Sequence, residues 1–600
     1  MSEANTPIAL SDQQPSDARS SRLKFPVLAA YGSGGIIPIA LFNVAGILVG
    51  LMGNISLGLS AFWLGVILII PRLWDAVSDP IIGHFSDNLR TPYGRRRPLI
   101  LVGGILVAVF FVMMWWIPKG ELVRTWFPGE AAFQAFQLGY ILLSLLLFFT
   151  ACTIFEIPHG ALGMEMTNDH HERTRLFSAK SFVGNFFALS TPWLFALASM
   201  EVFRGPGGNE ADGMRYVSLL VAAILIPLSF WWFFSLKEPG FARVAKQEKT
   251  PFWKDMRHVS RNRNFLLLTL TIFTLAMGFN FVNLLGSYIP IFYVFGGDKV
   301  AGAFLLGING TVWAVTGLLA VFPLNWISPR LGKQKTLMLA ISIMILAQLS
   351  KIVFYNPNYP YLIVIPTILL SIGMLFFFTL GASMVGDICD EDDLKTGQRT
   401  EGSFYSIYWW FIKMGTALAS FVAGALIVLT LFDQVQVTRV DGIEGSIREM
   451  RSSLESWQEQ ESRSTGLPEP DLTAYMSKAT EASINLRTHL ETRMQAETRN
   501  MDHYAILLTK LDDYDRELTN LSLTSNPTEL LDRLDALKEQ IEPLKRQSDH
   551  TLLLMRIVEI GLPALLSLLS LLFIRRYSLV ESRLQQIKEQ LAERNARNPA

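Results

Sequence analysis

The stretch from Arg72 to Pro98 reads RLWDAVSDPIIGHFSDNLRTPYGRRRP. It joins the end of an apolar segment to a basic loop, and Asp75 and Asp79 within it lie one helical turn apart. An apolar segment of about 20 residues can cross the hydrocarbon core of a bilayer, and neighbouring Arg and Lys residues mark the cytoplasmic side. The stretch therefore predicts a membrane-spanning helix that carries two carboxylates and ends at the cytoplasmic face.

Apolar segments of similar length recur along the whole chain. The 600 residues are 50% hydrophobic and only 17% charged, against roughly 25% charged in average soluble domains, which disfavours a soluble protein. Cys152 and Cys389 both lie in or beside apolar segments, which excludes a disulfide framework. We predict an all-α membrane protein with twelve spans, at residues 26–52, 60–86, 98–117, 134–163, 176–200, 215–236, 265–295, 301–326, 335–355, 360–387, 401–432 and 552–575.

Basic residues set the orientation and suggest two halves. They crowd the connections after spans 2, 6 and 8 and follow span 12, so both termini are predicted to be cytoplasmic in a multi-pass inner-membrane protein. The basic link at 237–264 lies where two six-helix halves would join. The predicted segments are a disordered cytoplasmic tail (1–25), the first half (26–236), the linker (237–264), spans 7 to 11 (265–432), an external insertion (433–550), span 12 (551–575) and a cytoplasmic tail (576–600).

The polar insertion at 433–550 contains leucine-rich heptads. Leu530, Leu534, Leu537, Ile541 and Leu544 repeat at alternating spacings of four and three, and a second series runs from 490 to 518. These patterns predict an external antiparallel helical hairpin of coiled-coil type, with its turn near residues 526–527 and a kink at 543. It is either a spacer that packs on itself or a surface that acts as a lid or docks a partner.

Ionisable residues deep in a membrane are costly and usually face a cavity or a partner. Asp75, Ser78 and Asp79 in span 2, and Thr153 and Glu156 in span 4, offer the oxygen ligands that a hard cation such as Na⁺ needs. Paired carboxylates can instead share a proton. The alternative for both spans is a structural salt bridge without ion binding.

Two lysines are candidate partners for these acids. Lys413 lies about 18 Å into span 11 and Lys180 lies near the start of span 5. Lys413 could hold an unloaded cation site together, bind an anionic group of a substrate, or serve only as structural glue. Lys180 could instead extend to the membrane surface.

Several function classes have no support in the sequence. The formal net charge of +0 gives no sign of a nucleic-acid partner. We find no phosphate-binding glycine loop, no nucleophile with a spaced base and no His or Cys cluster at metal-ligand spacing, so an enzyme or a resident cofactor is not expected. The expected partners are a small solute, the lipid bilayer and a coupling ion.

Four stretches resemble the glycoside-pentoside-hexuronide:cation symporters of the major facilitator superfamily, of which melibiose permease is the best-known member. They are RLWDAVSDPIIGHFSDNLRTPYGRRRP from 72, TIFEIPHGALGMEMT from 153, ERTRLFSAK from 172 and DICDEDDLKTGQRTEGSFYSIYWWFIKMG from 387. The resemblance implies the two-half major facilitator fold and alternating access by rocking of the halves. The insertion lies outside it.

The resemblance also implies roles for individual residues. Asp75 and Asp79 stand where the family has cation-binding aspartates, Ser78 replaces an Asn, and Thr153 matches a threonine near that site. Glu156 stands at a substrate-binding aspartate and Lys413 at a lysine of span 11. Lys180 stands where many members have an Arg. The implied cytoplasmic gate comprises Asp87, Arg95, Arg96 and Arg97.

Two positions depart from the family's sugar site. Its sugar-binding aspartate aligns with Ile39 and its sugar-stacking tryptophan with Gly160. Polar or aromatic residues elsewhere in apolar spans are candidate replacements, although each is equally able to act in helix packing. They are Asn43, His159, Asn280, Asn283, Asn309, Trp313, Tyr405 and Tyr408.

The sequence is compatible with three functions. The first is cation-coupled symport of a sugar, glycoside or related polar solute, which the buried carboxylates favour. The second is transport of a lysolipid, which the loss of the sugar-site residues at Ile39 and Gly160 favours. The third is a non-transporting sensor that uses the external insertion as its receptor surface.

Overall fold

The computed structural model describes most of the chain, and all of the secondary structure it describes is helical. Asn43 and most of the segment up to residue 60 lie outside the described residues. The described residues are 23–42, 44–45, 49, 59, 61–119, 121–127, 129–167, 169–189, 194, 197–198, 200–204, 210–239, 251–286, 288–463, 472–521 and 527–597.

The first half follows the predicted spans closely. A π-helix (Ile36–Leu41) follows α1, and α2 contains two internal prolines, Pro71 and Pro80, each of which removes a backbone hydrogen bond. α3 packs on both α5 and α8. The helices are α1 (Phe25–Ser33), α2 (Ala61–Asn88), α3 (Arg97–Trp115), α4 (Glu121–Trp126), α5 (Glu130–Glu165), α6 (His170–Ala188), α7 (Glu201–Arg204) and α8 (Glu210–Ser235).

The second half departs from the predicted spans in three places. The predicted linker contains a helix, span 8 is two helices bent by 45°, and the helix of span 10 continues to Thr396 rather than ending near 387. Polar residues near the membrane surface can stay helical, and hydropathy alone does not detect this. The helices are α9 (Phe252–Arg261), α10 (Arg263–Leu285), α11 (Lys299–Leu319), α12 (Val321–Leu331), α13 (Lys333–Phe354), α14 (Val364–Thr396) and α15 (Glu401–Leu429).

Seven helices in the described part are long and apolar enough to cross a membrane, or eight if α11 and α12 form one bent span. The count of twelve stays a prediction. The two halves meet where α2 crosses α15, and the crossing is close because both helices present glycine. A Cβ on Gly83 would lie 2.6 Å from the Gly402 carbonyl oxygen.

The insertion contains four helices, so the expectation of a two-armed hairpin was wrong. The helices are α16 (Gln434–Arg463), α17 (Thr473–Ala496), α18 (Met501–Leu521) and α19 (Pro527–Ile541), followed by a 3-10 turn (Glu542–Lys545) that contains Pro543. The heptad series from 490 to 518 spans the break between α17 and α18, so it is not one helix. A further heptad, which the sequence analysis missed, lies in α16, and its side chains are all buried. It consists of Val440, Ile443, Ile447, Met450 and Leu454.

The insertion has its own hydrophobic core and polar contacts at its base. Leu486, Leu511 and Leu534 are each 0% exposed within that core. Burial by itself would lower the pKa of Lys545, but hydrogen bonds with Glu444 and Asp441 raise it above the ordinary value, so the ammonium stays charged. These features indicate a separate packed unit rather than a leucine stripe on an extended spacer.

The chain ends with α20 (Asp549–Arg575) and α21 (Glu581–Arg597). α20 packs against α10 and α13 in the second half. The predicted tail therefore contains a helix, and its Leu584, Ile587 and Leu591 are buried against the rest of the molecule. α15 begins at the end of the molecule where α2 and α5 end, and the insertion follows its other end. We call the former the basic end, since the loop with Arg95 and Arg96 lies there.

Candidate functional site

The two aspartates of α2 lie at the interface between the halves and pair with one lysine. Asp75 and Asp79 are both 0% exposed. The Lys413 Nζ atom on α15 lies 3.0 Å from Asp75 Oδ2 and 2.8 Å from Asp79 Oδ2. Two carboxylates therefore share one ammonium group, and this is the salt bridge that the sequence offered as the structural alternative.

Further oxygen atoms surround this triad. Thr153 on α5 donates a hydrogen bond of 2.9 Å to Asp79 Oδ1. Ser78 is buried beside the aspartates, and its hydroxyl has no hydrogen-bond partner among the described residues. Asp75 Oδ1 likewise has no hydrogen-bond partner in the described part of the chain. A buried carboxylate oxygen without a donor is costly, so this cluster is short of positive groups or protons.

A second polar cluster lies one turn further along α5. Glu156 accepts hydrogen bonds from Lys180 at 2.6 Å and from the Tyr405 hydroxyl at 2.8 Å. These three side chains come from α5, α6 and α15, so they connect both halves. Lys180 is 5% exposed and pairs with Glu156, so it does not extend to the membrane surface.

The two clusters flank a cavity of about 680 Å³. Its polar lining includes Asp79, Thr153, Glu156 and Lys413, and the remainder is largely apolar. Pockets for small molecules typically measure about 300–1,000 Å³ and combine an apolar wall with a few polar groups. Size and lining therefore suit one small solute beside the carboxylates.

The structure separates the other candidate residues. Asn280 lines the main cavity, and its side-chain amide donates to the Thr416 carbonyl at 2.7 Å. His159 is 0% exposed and stacks between Tyr31 and Phe155, so it packs in the core and does not line the cavity. The side chain of Asn283 lies outside the described part of the molecule. Tyr408 is fully buried beside Tyr405.

Trp313 and Asn309 line a different cavity, so the expectation that they join the main one was wrong. This second cavity of about 210 Å³ lies within the second half and also contains the buried pair Lys351 and Glu559. Trp313 stacks on Phe279, with ring centroids 5.5 Å apart. The rotation of α11 about its axis, which hydropathy does not reveal, points the tryptophan there.

Arginines and acids from both halves close the basic end. Arg95 and Arg96 are 1% and 0% exposed, and their Nη2 atoms lie 2.9 and 3.1 Å from Glu401 Oε2 on α15. Both also pair with Glu165 at the end of α5. Asp87 accepts hydrogen bonds from the backbone of residues 402 and 403 at 3.0 and 2.8 Å, which caps α15 from the opposite half.

Arg97 does not belong to this ion-pair cluster, so its role in the gate stays a prediction. Its guanidinium donates to the Phe233 carbonyl at 2.6 and 2.9 Å, within the first half. Arg97 is the first residue of α3. Its side chain points towards Phe233 on α8. Glu238 accepts the backbone N–H groups of residues 95 to 97 and so caps the same helix.

A second interhalf cluster lies nearby, and the sequence analysis missed it. Arg173 on α6 lies 2.7 Å from both Asp387 and Asp390 on α14, and Lys333 lies 2.7 Å from Asp387. Arg173 is 0% exposed. The signal was present in ERTRLFSAK and DICDEDD, but charges near a span end resemble ordinary loop charges until the partner helix is known.

Comparison with known proteins identifies the family. The model of the family described as "MFS/sugar transport protein" matches residues 30–448, more than half of the chain. The chain belongs to this family. The resemblance to glycoside-type cation symporters is thereby confirmed, as is the expectation of a transporter rather than an enzyme.

Relatives of this MFS/sugar transport protein include bacterial symporters and carriers. An uncharacterized symporter of Synechocystis is 23% identical over 500 residues, covering 70% of this chain and 88% of that protein. The isoprimeverose transporter of Lactiplantibacillus pentosus is 26% identical over 377 residues, covering 62% of this chain and 73% of that protein. A glucuronide carrier protein homolog of Escherichia coli is 23% identical over 396 residues, covering 65% of this chain and 81% of that protein.

A solved structure is similar to this chain in fold. A bacterial homologue of the iron transporter ferroportin in its outward-facing state is similar with a TM-score of 0.53 at 14% identity. The match covers 68% of this chain and 93% of that chain. At this identity the similarity shows the fold alone, an all-helical fold of major facilitator type.

Gly160 and Ile39, the two positions expected to depart from the family's sugar site, are both closely packed. A Cβ on Gly160 would lie 2.0 Å from the ring of Tyr405, so the tyrosine occupies the space that a larger residue would need. Ile39 lies against Gly184 on α6, where a Cβ would be 2.4 Å from the isoleucine Cδ1. Tyr405 therefore occupies the space beside Gly160.

We expect Gly160→Ala to destabilise the transporter by roughly 1–3 kcal/mol, because the new methyl group displaces Tyr405 from Glu156. Thermal unfolding of purified protein measures the effect. Gly139→Ala is the matched control, since it lies in the same helix with nothing within 4 Å of its Cβ position. Adding Tyr405→Leu to Gly160→Ala should recover part of the loss, and equal melting points for both glycine variants would contradict the prediction.

Proposed function

We propose that this chain is a secondary active symporter that couples a sugar, glycoside or related polar solute to Na⁺ or H⁺. The observation that carries the proposal is the buried triad of Asp75, Asp79 and Lys413 on the wall of an interhalf cavity. Ionisable groups at such depth are expensive and normally serve transport.

The charge of the triad supports the binding of one cation. Two ionised carboxylates and one ammonium sum to a net charge of minus one, at a position where both aspartates are 0% exposed. Binding a single positive ion brings the sum to zero, which removes the cost of an uncompensated buried charge. Na⁺ would use the carboxylates, with Thr153 and Ser78 as further oxygen ligands, whereas H⁺ would protonate one carboxylate.

The solute is proposed to bind between this triad and Glu156. Glu156 supplies an acceptor for hydroxyl groups, Lys180 pairs with Glu156, and Trp409 supplies an aromatic wall. Names of relatives, such as the isoprimeverose transporter, favour a sugar or glycoside. The coupling ion and the solute would then share one cavity, which lets each stabilise binding of the other.

Alternating access is proposed to work through the interhalf clusters at the basic end. With the clusters of Arg95 and Arg173 closed, the cavity would face the side that carries the insertion. Their opening would expose the cavity to the basic end, where Arg and Lys residues indicate the cytoplasm. This scheme has twelve spans, both termini inside and the four-helix insertion outside, where it is available to a partner.

Uptake by purified protein in vesicles tests the proposal. The panel contains labelled mono- and disaccharides and glycosides, each measured with an inward Na⁺ gradient, an inward proton gradient and neither. Uptake that rises with one gradient supports the proposal. Uptake of sugar that is equal in all three conditions would reject coupling.

The alternative of lysolipid transport draws support from the apolar walls of the cavity, such as Phe42, Leu68 and Ile412. Labelled lysolipid in the same vesicles distinguishes it from sugar transport. A sensor without transport predicts no uptake of either solute, and deletion of residues 440–545 should then abolish signalling.

A further inference from the structure

The C-terminal helix α21 lies across the basic end and contacts both halves. Lys588 lies 3.1 Å from Asp169, which caps α6 in the first half. Arg594 lies 2.9 Å from Asp393 on α14 in the second half. Leu584, Ile587 and Leu591 form the buried face of α21. They lie beside Asp387 and Asp390 of the Arg173 cluster, so α21 covers that cluster and bridges the halves.

Two histidines and a glutamate converge where α21 begins. His170 and His171 are the first residues of α6, and Glu581 is the first residue of α21. One ligand atom of each lies within 4.8 Å of the other two. Glu581 contacts His170 directly, and His171 Nε2 lies 3.3 Å from Glu581 Oε1.

We propose that His170, His171 and Glu581 bind a divalent transition-metal ion, with Zn²⁺ as the preferred ion, and that the ion fastens α21 to the first half. Imidazole nitrogens and a carboxylate are a common ligand set for zinc, which binds them at about 2.0–2.2 Å in tetrahedral geometry. Neighbouring ligand atoms of such a tetrahedron lie roughly 3.3 Å apart. The 3.3 Å between His171 Nε2 and Glu581 Oε1 matches that value, whereas the shorter direct contact between His170 and Glu581 would have to lengthen when the ion binds.

Each of the side chains of His171 and Glu581 offers a further polar atom besides the pair at 3.3 Å. Glu581 Oε2 and His171 Nδ1 are buried and have no hydrogen-bond partner among the described residues. His170 is 7% exposed, whereas the side chains of His171 and Glu581 are 36% and 30% exposed, so an ion could enter from the side of His171 and Glu581. Three protein ligands leave the fourth position of the ion to water, an arrangement that zinc accepts.

The sequence did not predict this site. Two adjacent histidines do not form a metal motif, and the third ligand comes from a residue 411 positions away. Only the packing of α21 against α6 brings the glutamate to the histidines.

Metal binding here would favour the state in which the basic end is closed. The ion holds the start of α21 to α6, while Arg594 holds its other end to α14. Rocking of the halves would pull these anchors apart. A ligand that binds one conformation better shifts the population towards it, so the metal acts as a brake on opening.

Metal titration of the full-length protein, purified with any affinity tag removed, tests the proposal. Calorimetry with Zn²⁺ should give one ion per chain, and Co²⁺ as a substitute should produce the ligand-field absorption of a site with nitrogen and oxygen ligands. Glu581→Gln and His171→Ala should each weaken binding on the order of 10-fold or more, since even outer-shell partners contribute 10–100-fold.

His258→Ala is the matched control, because His258 pairs with Asp392 through Nε2 but lies outside the cluster. It should bind Zn²⁺ as the wild type does. Absence of a Co²⁺ spectrum from the wild-type protein would overturn the proposal, even if a variant failed to fold. Unchanged Zn²⁺ affinity in Glu581→Gln would overturn it as well.

Discussion

Replacing either Asp75 or Asp79 by Asn is expected to abolish cation-stimulated uptake while the protein still reaches the membrane. Asn keeps the shape of Asp but removes one negative charge. The remaining carboxylate and Lys413 then form a neutral pair, so the site no longer gains by binding a cation. Contacts to charged groups are worth roughly 1.5–3 kcal/mol each, so cation affinity should fall by about 10- to 150-fold.

Gradient-driven uptake in vesicles and the cation-dependent rise in melting temperature both measure this loss. Asp212→Asn is the matched control, since Asp212 is a partly exposed aspartate that pairs with Lys119 outside the cavity. It should transport normally. Undiminished dependence on Na⁺ and H⁺ in both Asp75→Asn and Asp79→Asn would reject the proposed ion site.

Replacing Glu401 by Gln is expected to open the basic end. Glu401 is 0% exposed and pairs with Arg95 and Arg96 from the opposite half. Breaking a buried ion pair typically costs 3–5 kcal/mol because the partner charge is left uncompensated. Glu165 still pairs with both arginines, so we expect the lower value of about 3 kcal/mol, which shifts the ratio of closed to open states by roughly 100-fold.

Distances between spin labels across the basic end measure this shift. Tyr93 and Lys395 are exposed and lie in opposite halves, which makes them suitable labelling positions once Cys152 and Cys389 are replaced. The distance distribution of Glu401→Gln should move to longer values than in the unsubstituted background.

Glu238→Gln is the matched control for this experiment. Glu238 contacts the same loop through the backbone of residues 95 to 97, but those contacts stay within the first half. Its distance distribution should match the background. An identical distribution in Glu401→Gln would show that this cluster does not hold the basic end closed.

The carboxylates of the candidate site were accessible to sequence reasoning because their signal is local. A charged residue inside an apolar helix is conspicuous wherever the chain folds, and Asp75, Asp79 and Glu156 were recognised in this way. The helical membrane architecture and the family were predictable for a similar reason. Long apolar segments and short motifs are properties of contiguous residues.

Contacts between distant residues were not accessible in the same way. Arg173 and Asp387 are 214 positions apart, and each alone resembles a loop charge. Trp313 was assigned to the wrong cavity because its direction depends on the rotation of α11. The hairpin prediction rests on the heptads between residues 490 and 544. The structure adds an earlier heptad in α16, which is buried in the same core.

The sequence by itself determined that the chain is an all-helical membrane transporter of the MFS/sugar transport family and that Asp75, Asp79 and Glu156 lie deep in it, although it missed the buried Glu559. Only the tertiary structure decided that Lys413 joins both aspartates, that two ion-pair clusters close one end, and that α21 brings Glu581 to the histidines. The physical reason is the distance along the chain over which each signal acts. Hydropathy and helical period act over a few turns, whereas pairing across helices depends on how each helix is rotated and where it crosses its neighbours.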